Sequence, residues 1–308
     1  MSITELLDIQ YPILKGVMAL ISTHKIVAAV SESGGLGVLS SINLEAEELR
    51  EEIRLTRTLT SKPIAVNIMM LSKNRDQQIK VIIEENIRII TVSAGSPVIY
   101  MDWLKENCIK VIPVVHTVQK AMEMERIGVD AIIAEGSESG GYIGESSTMT
   151  LIPQVVSHVN VPVIAAGGIA DGRGLAAALA LGADGVQMGT RFLASEECAI
   201  PPGIKSALLK ATDTSTIVTG RKKGDAIRSL KNEMLEKYVD LEFSETQEAN
   251  LDELTIGSYK RAVIDGNIET GSLMTGQIAG LITEIKPAKD IVEEVMHEAH
   301  DVIKSLKI

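Results

Sequence analysis

Two cysteines in 308 residues, Cys108 and Cys198, with no C-x-x-C pair and no neighbouring histidine, leave no material for a disulfide framework or a zinc site. A reducing compartment suits such a chain, and both thiols read as small buried hydrophobes. Basic charge is also scarce: the formal charge is -11, and no stretch clusters the lysines and arginines that phosphate backbones require, which excludes a nucleic-acid partner. Long apolar runs are missing too. Met1 to Gln10 lacks a basic region followed by a hydrophobic one, and the stretch from Val161 to Val186 is interrupted by Asp171, Arg173 and Asp184. The expectation is a cytoplasmic protein that neither enters a membrane nor is secreted. Aromatic residues make up only 3%, so a core must come from Val, Ile, Leu, Ala and Met, which carry most of the 45% apolar content.

What is present is a rhythm. Short β-branched runs recur about every 25 residues: 11–16, 36–41, 63–69, 89–94, 110–116, 131–136, 162–168 and 185–192. Helical periodicity fills the gaps, as in 44–57, 76–85, 117–127 and 174–181. Eight strand–helix repeats close most simply as an α/β TIM (β/α)8 barrel, which needs about 250 residues and leaves room for one insertion. The expected division is a barrel over 1–198, an inserted lid of irregular helices over 199–267, and a segment over 268–308 that returns to the barrel and ends in an amphipathic helix. A doubly wound sheet would announce a dinucleotide with G-x-G-x-x-G after its first strand, and here that strand runs into Gly16-Val17-Met18-Ala19.

Barrel active sites assemble at the C-terminal strand ends. Those ends carry Gly16 and Met18, Ser40, Asn67, Ser93 with Gly95, His116, Glu135 with Gly136, Gly167 with Gly168, and Gly189 with Thr190. The last two pairs fall in the loops that cradle phosphate in this fold, where bare backbone amides are needed; a lone pair of glycines would be only a turn. Asn67 in an apolar strand needs a polar partner, a flavin-like ring or simply the backbone. Glu135 needs one as well, and a barrel Lys or Arg is the ordinary answer.

In the order and spacing of its motifs the chain resembles the flavin-dependent enoyl-acyl-carrier-protein reductases (type II), within the nitronate monooxygenase (2-nitropropane dioxygenase) superfamily. The resemblance rests on Tyr11-Pro-Ile-Leu-Lys-Gly16, Gly34-Gly-Leu-Gly37, Val66-Asn-Ile-Met69, Ala94-Gly95, Ile133-Ala-Glu-Gly136, Gly140-Gly141, the stretch Pro162 to Gly172, Gln187 to Phe192 and Gly276-Gln-Ile-Ala-Gly280. It implies FMN contacted by Gly16, Met18 and Ala19, with Asn67 at the ring. Ala94, Gly95, Glu135, Gly140 and Gly141 would line the ring and ribityl chain, Gly167, Gly168, Gly189 and Thr190 would hold the phosphate, and Gln277 and Gly280 would approach from the C-terminal segment. It also implies NADH or NADPH as reductant, an enoyl substrate carried on acyl carrier protein, and, since such barrels often pair, a homodimer. No metal is expected.

Three departures from the pattern bear on activity. Val17 stands where the second glycine of Gly-Gly-Met-Ala is usual, and Tyr142 replaces the catalytic histidine of Gly-Gly-His-Ile-Gly. His116 ends the fifth strand where relatives carry Pro or a small residue. A phenol stays protonated at neutral pH, so Tyr142 can donate a hydrogen bond to a thioester carbonyl but is a poor base. Nitronate oxidation from a neutral nitroalkane begins with carbon deprotonation, so the replacement tilts the expectation toward enoyl reduction and leaves nitronate oxidation as the alternative. His116 is expected to stand in partly for the lost imidazole, with a hydrogen-bonded structural histidine as the plainer reading. A nucleotide-monophosphate dehydrogenase would need a cysteine between Glu135 and Thr150, and there is none. A non-catalytic flavin-binding protein is the remaining alternative.

Overall fold

The computed structural model describes residues 2–244 and 251–306. Its eight barrel strands are β1 (Ile13–Lys15), β2 (Gly37–Ser40), β3 (Ile64–Met69), β4 (Ile89–Ser93), β5 (Lys110–Val115), β6 (Ile132–Glu135), β8 (Val163–Ala166) and β9 (Gly185–Met188). A short strand, β7 (Gly141–Tyr142), stands outside the barrel and joins a hairpin of β10 (Thr216–Thr219) and β11 (Ile227–Leu230). The barrel strands run parallel in the order β1-β9-β8-β6-β5-β4-β3-β2. The ring is drawn shut by a bridge from Leu14 to Leu36, where Lys15 N donates to Leu36 O at 2.9 Å. All eight strands lie inside the runs expected from the sequence.

The helices are α1 (Ile3–Leu7), α2 (His24–Glu32), α3 (Ala46–Leu59), α4 (Arg75–Glu84), α5 (Met101–Glu106), α6 (Val118–Arg126), α7 (Thr148–Val156), α8 (Gly172–Ala180), α9 (Thr190–Leu193), α10 (Pro202–Leu209), α11 (Glu233–Phe243), α12 (Leu251–Thr255), α13 (Ser258–Val263) and α14 (Ala288–Ser305). Strand alternation sorts the core into two layers. Leu14, Val38, Ala65, Ile89, Ile112, Ile133, Ile164 and Ala166 fill the barrel, with Ile3 and Leu7 of α1 packed into the same cluster. Ile13, Val66, Ile90, Ala134, Ala165 and Val186 face the helices. Buried aliphatic side chains of this kind contribute about 1.5–3 kcal/mol each. α14 packs on α8 and α2, as the amphipathic spacing of the last residues predicts.

Two stretches differ from expectation. The run 185–192 ends as a strand at Met188, because Gly189 turns the chain and Thr190–Leu193 forms one helical turn. The segment after Pro201 holds more than irregular helices: β10 and β11 pair antiparallel across a turn with two left-handed glycines, Gly220 and Gly224, and β11 pairs in turn with β7. A third core, with Ile21, Leu193, Cys198, Ile204, Leu208, Val263 and Leu273, seams this segment to the barrel.

Candidate active site

The same alternation that buries Ala65 and Ile133 inside the barrel aims Asn67 and Glu135, two residues further on, into its C-terminal mouth. Asn67 is fully buried. Its Nδ2 donates to Thr91 Oγ1 at 3.0 Å and its Oδ1 accepts from Ser93 Oγ at 3.1 Å, so half of its hydrogen-bonding capacity is used by β4 and half remains. Immediately beyond, Ala94 adopts φ +52° in the left-handed region, a conformation costly for a residue with a Cβ, and Gly95 follows at φ +143° with Met70 packed against it.

At the end of β1, Gly16 N donates to Met188 O at 2.8 Å, and a Cβ there would come within 3.3 Å of Gly189. Met18 N donates to Ser22 Oγ at 2.8 Å, and Ala19 O accepts from Tyr259 Oη at 2.6 Å. The residue that ties this loop down is Lys15, which the sequence reading passed over. It is fully buried, and its Nζ donates to Gly16 O at 3.0 Å and to Ser22 Oγ. Burial, with no carboxylate partner among the described residues, depresses its pKa to about 7. The signal was available: a lysine closing an apolar strand poses the same question as Asn67.

The two glycine loops lie together. Gly167 and Gly168 are both left-handed, at φ +90° and +74°. A Cβ added at Gly189 would meet no atom within 4 Å, so the backbone there borders open space. Among the described residues, the backbone N–H groups of Gly168, Gly189 and Thr190 donate no hydrogen bond to the rest of the chain. Unpaired amides beside an unfilled space are what a phosphate monoester requires, so these residues fit the phosphate end of FMN. Thr190 Oγ1 accepts from Gly276 N at 2.9 Å, which brings the C-terminal segment to the same place.

The loop after β6 is held on several sides. Arg228 of β11, buried, donates from Nε and Nη2 to Ser137 O at 3.1 and 3.0 Å and from Nη1 to Thr216 Oγ1 at 3.1 Å. Gly140 lies so close to Thr275 that a Cβ would stand 2.7 Å from its backbone, and Gln277 N donates to Glu138 O at 2.9 Å. Gly144 packs on His116 just as tightly. Glu138 is occupied elsewhere: its carboxylate accepts from Thr148 N and Oγ1 at the start of α7. Tyr142, paired with Ile227 and next to left-handed Gly141, is 53% exposed. Gln277 is exposed, and Gly280 is pressed against the backbone of Thr212 and Asp213, a contact that accounts for the glycine without a ligand.

Glu135 makes no ion pair with a lysine or arginine among the described residues. Its partner is His116, whose Nε2 stands 3.9 Å from Glu135 Oε2 and whose Nδ1 lies 3.0 Å from Glu135 O. Burial pushes the Glu135 carboxyl up to about 8. The mouth thus gathers a cradle of unpaired amides, a half-satisfied amide side chain and a histidine–carboxyl pair.

The sequence model of the nitronate monooxygenase family matches residues 1–77 and 69–298. The chain belongs to the nitronate monooxygenase family. It is a flavin oxidoreductase of that family and shares its barrel with the solved structure of FabK from Thermotoga maritima, at 48% identity and a TM-score of 0.94 over 98% of this chain and 96% of that one. Among curated relatives of this family member, a probable nitronate monooxygenase of Staphylococcus saprophyticus is 32% identical, covering 98% of both chains. A (3aS,4S,5R,7aS)-5-hydroxy-7a-methyl-1-oxo-octahydro-1H-indene-4-carboxyl-CoA dehydrogenase of Mycobacterium tuberculosis is 31% identical, covering 96% of this chain and 95% of the relative. No helix among the described residues is long and apolar enough to cross a membrane.

Proposed function

We propose that the protein is an FMN-dependent, NAD(P)H-consuming reductase of trans-2-enoyl thioesters carried on acyl carrier protein. The observation that carries this reading is the convergence of the free amides of Gly168, Gly189 and Thr190 with Asn67, Glu135 and His116 at one barrel mouth, in a chain 48% identical to FabK. When bound, FMN supplies the two-electron relay between nicotinamide and enoyl thioester. The chain supplies the rest. Backbone amides of Gly167, Gly168, Gly189 and Thr190 hold the phosphate, Gly16, Met18, Ala19, Ala94, Gly95, Gly140 and Gly141 set the walls, and the remaining N–H and lone pair of Asn67 orient the ring edge. Gln277 and Gly280 border the entrance. Tyr142 donates to the thioester carbonyl and polarises it, while His116 handles the proton. The segment 199–267 serves as a lid over a barrel of 1–198, and 268–308 returns to complete it. The protein works in the cytoplasm, as a homodimer.

Anaerobic titration tests the assignment. NADH or NADPH should bleach the flavin absorbance of the purified protein, and a crotonyl thioester should restore it. A nitronate oxidase would instead be bleached by the nitronate itself and restored by oxygen. That second reading is favoured by the Staphylococcus relative and disfavoured by Tyr142, whose phenol is a weak base for removing a carbon-bound proton.

A further inference from the structure

β5 and β6 are neighbours in the barrel, and His116, the first residue after β5, meets Glu135, the last of β6, at the mouth. The Nδ1 of His116 points at a main-chain carbonyl, Glu135 O, 3.0 Å away. A carbonyl only accepts, so Nδ1 carries the hydrogen, and in the neutral ring Nε2 is left as an acceptor. That nitrogen is the one facing Glu135 Oε2 at 3.9 Å, one small side-chain movement or one water from a hydrogen bond. The His116 side chain is 32% exposed, so substrate can reach it, whereas Glu135 at 19% sits beneath.

We propose that Glu135 and His116 share one proton and deliver it, from His116 Nε2, to the substrate α-carbon after hydride has reached the β-carbon. This rests on the reductase reading. The balance is simple: a C–H bond forms at the α-carbon as an N–H bond of the imidazolium breaks, and the saturated thioester results. At rest the ring is neutral and the shared proton lies on the Glu135 carboxyl; it passes to Nε2 to form that imidazolium before the C–H bond forms, and afterwards the Glu135 carboxylate takes a proton back from water; nicotinamide is the reductant. Burial makes the exchange feasible, because a carboxyl held near 8 still bears its proton at neutral pH. Among the described residues, no other ionisable side chain forms an ion pair with Glu135 or His116. Glu138 is turned onto α7, β8 contributes only Ala166 and Gly167 at this level, and Tyr142, half exposed, serves the thioester carbonyl. The pair supplies what the missing histidine after Gly141 would have supplied, from an adjacent strand.

The test uses holoenzyme labelled with ¹⁵N in its five histidines, in wild type and Glu135→Gln, with His116→Asn to assign the ring. If the two groups share a proton, the His116 titration seen by NMR has two steps in wild type and one, with a displaced midpoint, in Glu135→Gln. An unchanged His116 curve overturns the pairing, whatever the catalytic result. In stopped flow, Glu135→Gln should slow reoxidation by crotonyl thioester about a hundredfold, and by more than it slows reduction by NADH. His116→Asn should do the same; equal slowing of both half-reactions overturns proton delivery. If wild type fails to reduce any enoyl thioester, the reductase reading falls and the delivery step with it, while the NMR curves still decide the pairing.

Discussion

At the scale of single residues, Glu135, largely buried, and Lys15, fully buried, pull stability in opposite directions with pH. Glu135 has a folded-state pKa of about 8 against an ordinary 4.5, so between those values the native chain holds a proton that the unfolded chain has released. Its contribution is complete below pH 4.5 and is lost as pH rises through 8, at a slope of up to about 1.4 kcal/mol per unit. Lys15 is the reverse case: its folded value is about 7 against 10.5, the unfolded chain binds the extra proton between them, and stability is regained as pH climbs from 7 toward 10.5. Urea unfolding of wild type should therefore show a fall from pH 5 to about 7.5 and a recovery toward pH 10. Glu135→Gln should flatten the fall and Lys15→Met the recovery; a variant that leaves its own limb intact disproves the assignment. Gly189 gives a sharper handle on the cofactor. Its φ of -104° suits any residue and its Cβ position is open, so Gly189→Val should fold with an unchanged midpoint and yet lose FMN, read as absorbance per polypeptide after gel filtration. Retained yellow colour would move the phosphate elsewhere.

At the scale of elements, α8 and α14 show how close packing rather than propensity decides a residue. Gly172 opens α8, where Asp171 Oδ1 accepts from Gly174 N and Glu298 of α14 accepts from Gly172 N at 2.7 Å. A Cβ at Gly172 would stand 2.3 Å from Ala299 N, so Gly172→Ala must push the two helices apart. The expected cost is about 1–3 kcal/mol, seen as a lower urea midpoint at constant slope; no change would mean that α14 is not seated on α8. These elements were legible in the sequence because period two and period 3.6 alternate cleanly from Ile13 to Met188. The hairpin was not. Thr216–Thr219 and Ile227–Leu230 are four residues each and half polar, and their pairing depends on Gly141–Tyr142 some 85 positions earlier, which no local pattern reports. The helical turn at Thr190–Leu193 was masked by an apolar run that reads equally well as strand. Of the site, polar residues ending apolar strands announced themselves, whereas Arg228 lay in a stretch with no such contrast, and the meeting of His116 with Glu135 needed strand order.

At the scale of the whole molecule, the mouth is assembled from parts distant in the chain, and Arg228 is the fastening between two of them. It binds the Ser137 carbonyl with two hydrogen bonds and Thr216 with a third, in a buried position where each bond to a charged donor contributes roughly 1.5–3 kcal/mol. Arg228→Met keeps the length and the apolar stem but removes all three. The barrel's own cores do not include Arg228, so the main unfolding transition should move by little. The hairpin, by contrast, loses its tie to the β6 loop and opens more often. Local opening is what a protease reads when it is faster than cleavage. Trypsin should therefore cut at Arg221, Lys222 or Lys223, in the exposed turn between β10 and β11, several times faster in the variant, with fragments identified by mass spectrometry. Because the same loop carries Tyr142, the KM for enoyl thioester should rise more than the FMN dissociation constant does. Faster cleavage with both constants unchanged would show that the hairpin is tied to the barrel without shaping the site, and the proposed lid would lose its function.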